Sequence, residues 1–254
     1  MHILVTNDDG VQASGLLALA QEMRKLGKVS VLAPDRNWSV SGHVKTLHRP
    51  LRVRPTTLAD GSPAMMTDGA PSDCVALALL GLIKDIDIVV SGINPHANIG
   101  DDVTYSGTVT AAMEASIANV PGIAVSLHTM PELHGKRDYS TAAKYARRIA
   151  ERVMQNGLPD RLTLSVNVPH LPEDQIKGVR ITHQGMRLYK DELVIRQDPY
   201  GYPYYWIGGE YPSATMEENS DFHAIENGYV SITPIQLDLT DHKVIPALKQ
   251  WEWD

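Results

Sequence analysis

The chain is 254 residues long with a formal net charge of −7 and no Lys/Arg-rich run, which argues against a nucleic-acid duplex or an anionic membrane as its partner and leaves nucleotide-sized ligands open. A single cysteine, Cys74, excludes an intrachain disulfide and a thiolate zinc cluster and fits a reducing cytoplasm. No charged-then-apolar leader opens the chain and no apolar stretch approaches the roughly 18 residues of a membrane span, so the expectation is a cytoplasmic α/β protein whose 1–254 form one domain.

Ile3, Leu4 and Val5 form a short continuous apolar run, the pattern of a strand buried on both faces of a parallel sheet. It runs into Asn7-Asp8-Asp9-Gly10. Two adjacent carboxylates at a strand end repel each other, and their joint ionisation requires a compensating cation or protonation of one of them. A bound metal is the simplest cation; the plainer reading makes Asp9 a helix cap and leaves Asp8 solvated at the sheet rim. Ser14 then caps a helix through Leu16, Leu17, Leu19, Ala20 and Met23, stopped by Gly27. Lys28–Pro34 is a second buried strand, so the opening is a βαβ unit of a Rossmann-like, doubly wound, mostly parallel sheet.

The polar loop from Asp35 to His43 follows that second strand and so belongs at the same carboxyl edge as Asp8 and Asp9, where such sheets bind ligands. Ser39, Ser41 and His43, with Gly42 between them, are its site candidates, against a reading as ordinary turn residues. Leu47 to Met66 alternates like antiparallel strands, with a turn at Gly61-Ser62-Pro63. Pro71 opens a helix, apolar almost all round and therefore buried, capped by Ser72 or Asp73; Cys74 in it is a small buried hydrophobe rather than a nucleophile.

Ile86–Ser91 is another buried strand, and it leads into a second polar loop, Gly92 to Asp102. Tyr105 to Glu114 follows as a helix whose start carries Ser106, Gly107 and Thr108. Free backbone N–H groups, two hydroxyls and the positive end of the helix dipole make a phosphate cradle there, although Ser106 alone also serves as an N-cap. Pro121–Leu127 and Leu162–Pro169 are further strands, with an amphipathic helix from Thr141 to Met154 between them.

Beyond about residue 170 the character changes. Tyr200 to Gly209 packs five aromatics around glycine and proline, the pattern of a hairpin arm, and aromatics this dense on an arm mark an interface. A closing strand, Gly228–Thr233, and a short C-terminal helix near Val244–Trp251 complete the chain. The ten histidines lack the tight spacing of a zinc site.

Three segments thus converge on one sheet edge and offer Asp8, Asp9, Ser39 and Asn94, all oxygen donors. Hard oxygens without imidazole or thiolate suit one Mg²⁺ or Mn²⁺ ion. With a phosphate held at Ser106–Thr108, the parts describe metal-assisted phosphoester hydrolysis. Asn98, Asp101 and Asp102 in the second loop are further candidates, either aspartate being able to orient the water or act as general acid. A signalling receiver domain also has an acidic pair after its first strand, but Ile88–Asn94 supplies no phospho-accepting aspartate; a non-catalytic nucleotide-binding module shares the cradle and the metal.

Val5-Thr6-Asn7-Asp8-Asp9-Gly10, Ser39-x-x-Gly42-His43, Ser91-Gly92-Ile93-Asn94, Gly100-Asp101-Asp102-Val103-x-Tyr105-Ser106-Gly107-Thr108-Val109 and Gly228-Tyr229-Val230-Ser231-Ile232-Thr233-Pro234 together resemble the SurE survival-protein family. Asp198-Pro199-x-Gly201 and Tyr205-Trp206-Ile207-Gly208-Gly209 are similar to it as well. The resemblance implies a divalent-metal-dependent phosphatase acting on nucleoside 5′- and 3′-monophosphates with loose base preference, and on short polyphosphate. It implies metal ligands at Asp8, Asp9, Ser39 and Asn94, catalytic roles for Asp8, Asp9, Asn98 and Asp102, and substrate contacts from Ser39, Gly42, His43, Asn94 and the Ser106-Gly107-Thr108 turn. It further implies a homodimer or homotetramer through the arm in about 171–254. Two departures stand out: Pro95-His96-Ala97 where the family often has a glycine after the ligand asparagine, and Ala115 after Glu114 where glycine is usual.

Overall fold

The computed structural model describes residues 1–129, 137–209 and 213–253. His2–Thr6 (β1) is buried along its whole length. Its alternate side chains feed two cores: Ile3 and Val5 pack with Leu16, Leu19 and Met23 of Ser14–Met23 (α1), while Leu4 faces the other side. Lys28–Pro34 (β2) runs parallel beside β1. Ala13 occupies the N-cap of α1 and makes no side-chain cap bond, so Ser14 is the first helical residue; the helix ends at Met23, short of Gly27.

Val53–Thr57 (β3) and Pro63–Thr67 (β4) form the expected antiparallel pair. Pro71–Leu77 (α2) packs Cys74 and Val75 against Leu4 and Leu32. Asp73 is the capping side chain: its Oδ2 accepts the Ala70 N–H at 2.9 Å, and both oxygens also bind Thr46. The segment following α2 departs from the expected all-round burial, because Leu80 and Leu82 are exposed. Cys74 is buried, and burial pushes its thiol pKa up, which keeps it protonated and inert.

Ile88–Asn94 (β5), Gly107–Ile117 (α3), Gly122–His128 (β6), Ser140–Asn156 (α4) and Leu162–Pro169 (β7) continue the α/β alternation. Val179–Ile181 (β8), Arg187–Leu188 (β9), Asp191–Gln197 (β10), Pro203–Gly209 (β11), Ser213–Ala214 (β12), Asp221–Glu226 (α5), Val230–Gln236 (β13) and Ile245–Leu248 (α6) follow.

Nine strands make the main sheet among the described residues, in the order β3-β4-β2-β1-β5-β6-β7-β13-β8. The run from β4 to β7 is parallel; β3 and β13 are antiparallel to their inner neighbours. Helices α1 and α4 cover one face, and α2 and α3 the other. The chain moves outward from β1 to β2 on one side, then restarts at β5 on the other, so the order reverses between β1 and β5. Their carboxyl ends open the crevice where such sheets take ligands. Strands β10 and β11 pair in full antiparallel register outside this sheet, from Asp191 opposite Gly209 to Gln197 opposite Pro203.

Candidate active site

Where β1 ends, Asn7 folds back on its own loop: its Nδ2 donates to the Gly10 carbonyl at 3.0 Å and its Oδ1 accepts the Gly10 N–H at 3.2 Å. This turn holds Asp8 and Asp9 at the sheet edge. The loop after β2 is strapped over them, with the Trp38 N–H donating to the Asp8 carbonyl at 2.7 Å.

Asp8 is only 3% exposed, and the start of α3 meets it. The Thr108 hydroxyl donates to Asp8 Oδ1 at 2.6 Å and the Thr108 N–H to Oδ2 at 3.2 Å. Gly107 makes that approach feasible, since a Cβ there would lie 2.9 Å from Asp8 Cβ and 3.1 Å from Ser41 Oγ. The anion at this helix N-terminus is therefore a carboxylate of the chain itself. Ser106 Oγ accepts the Val109 N–H at 3.1 Å as the N-cap. Of the cradle expected from sequence, the Gly107 N–H stays without a protein partner among the described residues, and beside it the buried Ser41 Oγ has none either.

Burial pushes the Asp8 pKa up, partly offset by the bonds from Thr108. Asp9 is pushed up to about 7 by burial and then by the Asp8 charge, with the Arg137 guanidinium pulling the other way. Burial and mutual repulsion thus oppose joint ionisation of the pair, an opposition that a bound cation would relieve. Asn94 at the end of β5 suits such a cation: its Nδ2 donates to the His96 carbonyl at 2.6 Å, leaving Oδ1 for a ligand. The backbone carbonyl of the loop that follows thus orients the asparagine. Ser39 is exposed on the neighbouring loop, its N–H donating to Asn37 Oδ1. No cluster of three or more His, Cys, Asp or Glu occurs among the described residues, so a cation here would depend on carboxylate, amide and hydroxyl oxygens, the donors that Mg²⁺ and Mn²⁺ accept.

Asp8, Ser39, Asn94, Asn98, Asp102 and Ser106 line one cleft of about 310 Å³. Asn98 is anchored by its Nδ2 on Ser126 Oγ at 2.7 Å and by its backbone N–H on Asn167 Oδ1 at 2.8 Å. Asp102 has both oxygens engaged, Oδ1 by the Tyr189 hydroxyl at 2.6 Å and Oδ2 by Arg187 Nε at 2.8 Å. Asp101 is exposed and accepts the Arg187 N–H at 3.3 Å. Asp102 is thus anchored on both oxygens, while Asp101 is exposed.

His43 and Gly42 face a different neighbour. His43 Nε2 lies 3.0 Å from Glu114 Oε2, and Lys45 Nζ binds Oε1 at 2.8 Å. The Gly42 N–H donates to the Tyr105 carbonyl, and its own carbonyl accepts the Thr110 hydroxyl. Both residues pin the loop to α3 instead of lining the cleft.

Sequence reasoning missed Tyr189 and Arg137. Tyr189 lines the cleft, and Arg137 Nη2 lies 3.3 Å from His96 Nε2. Tyr105 also lines the cleft and was visible only as part of a motif. No local pattern marks Tyr189 or Arg137, because each reaches the site through a fold contact distant in sequence.

Fold and cleft together define a doubly wound α/β protein with an oxygen-rich acidic site at the switch point of its sheet. A family model described as survival protein SurE matches residues 3–191. The 5′-nucleotidase SurE of Chloroflexus aggregans is 49% identical over 255 residues, spanning all of both chains. That of Geobacter sulfurreducens is 49% identical across 99% of this chain and 94% of its own. The crystal structure of the SurE protein from Aquifex aeolicus matches with a TM-score of 0.81 at 39% identity, covering 98% of each chain. The chain belongs to the SurE family.

Proposed function

We propose that this chain is a divalent-metal-dependent phosphatase that hydrolyses nucleoside 5′- and 3′-monophosphates, and short polyphosphate, in the cytoplasm. The observation that carries the reading is Asp8, turned by two bonds from Thr108, in one cleft with Ser39 and Asn94 at the sheet's switch point. Relatives that match over the full chain bear the name 5′-nucleotidase, which supports the substrate class.

Asp8, Asp9, Ser39 and Asn94 would hold one Mg²⁺ or Mn²⁺ per subunit. The ion would supply Lewis-acid polarisation of the phosphoryl group and neutralise its charge. Thr108 favours the ionised, correctly turned form of Asp8 through two donated bonds. The Gly107 N–H and Ser41 Oγ, both still available, would receive phosphoryl oxygens. Asn98, clamped by Ser126 and Asn167, orients substrate. The hairpin arm, with its exposed aromatic residues, would join subunits into a homodimer or homotetramer.

The test is phosphate release from a panel of nucleoside monophosphates with Mn²⁺, Mg²⁺ or a chelator, in the parent and in Asp8→Asn. Chelator-sensitive release that falls by about 100-fold or more in the variant supports the reading. Metal-dependent nucleotide binding without release above background would replace it with the binding module.

A further inference from the structure

Two aromatic side chains stand in the wall of the acidic cleft, and the proposed chemistry at Asp8 uses neither. Tyr105 is 55% exposed and Tyr189 is 39% exposed, and both line the cavity that holds Asp8 and Ser106. They come from distant parts of the chain: Tyr105 directly precedes the helix start at Ser106, and Tyr189 stands at the root of the hairpin arm, just before β10.

Asp102 bonds to both, to Tyr105 through the backbone and to Tyr189 through its side chain. The Tyr105 N–H donates to the Asp102 carbonyl at 3.0 Å, and the Tyr189 hydroxyl donates to Asp102 Oδ1 at 2.6 Å. The other carboxylate oxygen is bound by Arg187 Nε at 2.8 Å, and the Arg187 side chain is 6% exposed. The Tyr105 carbonyl in turn accepts the Gly42 N–H at 2.9 Å. An exposed aromatic side chain normally costs ordering entropy when it grips a ligand; with its hydroxyl already fixed, Tyr189 loses little. Tyr105 is the residue before Ser106, and both tyrosines line the cavity that Ser106 also lines.

We infer that Tyr105 and Tyr189 form the nucleobase subsite of this cleft, their rings offering stacking surface to the base of a nucleoside monophosphate while the Asp102 carboxylate fixes the Tyr189 hydroxyl. This rests on the nucleotidase reading of the same site. Stacking reads the face of a base and not its edge, so it accepts every base and favours the larger purine rings. Asp102 is then a positioning residue, which accounts for its two occupied oxygens.

The experiment compares adenosine 5′-monophosphate, uridine 5′-monophosphate and ribose 5-phosphate, the last carrying the phosphate and sugar without a base. Parent, Tyr105→Leu, Tyr105→Phe, Tyr189→Leu and Tyr189→Phe are assayed for kcat and KM, and titrated calorimetrically with adenosine 5′-monophosphate and with ribose 5-phosphate. Each leucine variant is expected to lower the ratio of kcat/KM for adenosine 5′-monophosphate to that for ribose 5-phosphate by roughly tenfold, through KM. Tyr105→Phe, which keeps the ring, retains the ratio; Tyr189→Phe, which keeps the ring and loses the Asp102 bond, falls between. Loss of equal size on all three substrates, or an unchanged ratio in both leucine variants, would overturn the subsite. Were the parent to release phosphate from none of them, the hydrolase reading would fail, and the calorimetric ratio would still decide whether the two rings bind a base.

Discussion

At the end of β1 the backbone has a parallel neighbour on each side and helices on both faces, while along β11 it has one partner strand and largely exposed side chains. Asp8 is 3% exposed; Trp206 is 65% and Ile207 86% exposed. At the first place every group is held from several directions, so a charged pair can be kept in a costly arrangement. At the second, apolar surface lies open because nothing among the described residues covers it. A site that works by position needs surrounding rigidity, whereas a surface that is to meet a partner must be reachable.

The largest break comes from the carboxylates. Asp8→Asn, and equally a chelator acting on the parent, should lower phosphate release by about 100-fold or more. Next, the edge should respond to its ion: Mn²⁺ at a hundredfold excess over its Kd should stabilise the parent by about 2.7 kcal/mol in thermal melts, with the gain lost in Asp8→Asn. An equal gain in that variant would place the ion elsewhere.

Gly107→Ala tests the close approach. Its Cβ would meet Asp8 Cβ at 2.9 Å, so it should cost about 1–3 kcal/mol of stability and reduce activity together with it. A fully active, fully stable variant would show that Asp8 has room to move.

Glu114 gives a pH signature. His43's hydrogen bond, with Lys45 adding, holds its carboxyl below the usual range. A depressed folded pKa contributes stability above the unfolded value and loses it as pH falls through the folded one. Glu114→Gln should therefore melt below the parent at pH 7 by about 1–2 kcal/mol, the gap closing as pH drops below 4.5, the ordinary value of the group. The smallest effect on folding belongs to the arm. Trp206→Ser with Ile207→Ser should change stability by about 0.5 kcal/mol or less while lowering the mass seen by light scattering. An unchanged mass would remove the arm from the oligomer contact.

The sheet was legible because its buried strands carry continuous apolar runs such as Ile3–Val5 and Ile88–Val90, and a run of that kind has few other fates. The end of β1 was legible too, which places Asp8 and Asp9 at the edge, whereas β5 runs three residues past the expected Ser91 and carries Asn94 as its last residue. What sequence left open is the choice among acceptors for each donor. Ser106 and Thr108 sit two residues apart in one motif, yet one caps its helix and the other binds Asp8, a hundred residues away in sequence. His43 turning to Glu114 and Asp102 to Arg187 are decided the same way, by packing between segments far apart along the chain. Tyr189 carries no motif at all.

The place of β13 in the sheet bears on synthesis. Its residues, 230–236, cover the outer edge of β7 through the full register from Ser231 opposite Asn167 to Gln236 opposite Leu162. On a ribosome, β7 is made well before β13, and its outer edge stays bare until more than sixty further residues have emerged, the aromatic arm among them. A growing chain therefore carries an open strand edge and an apolar hairpin at once, the two features that invite pairing with a neighbouring nascent chain.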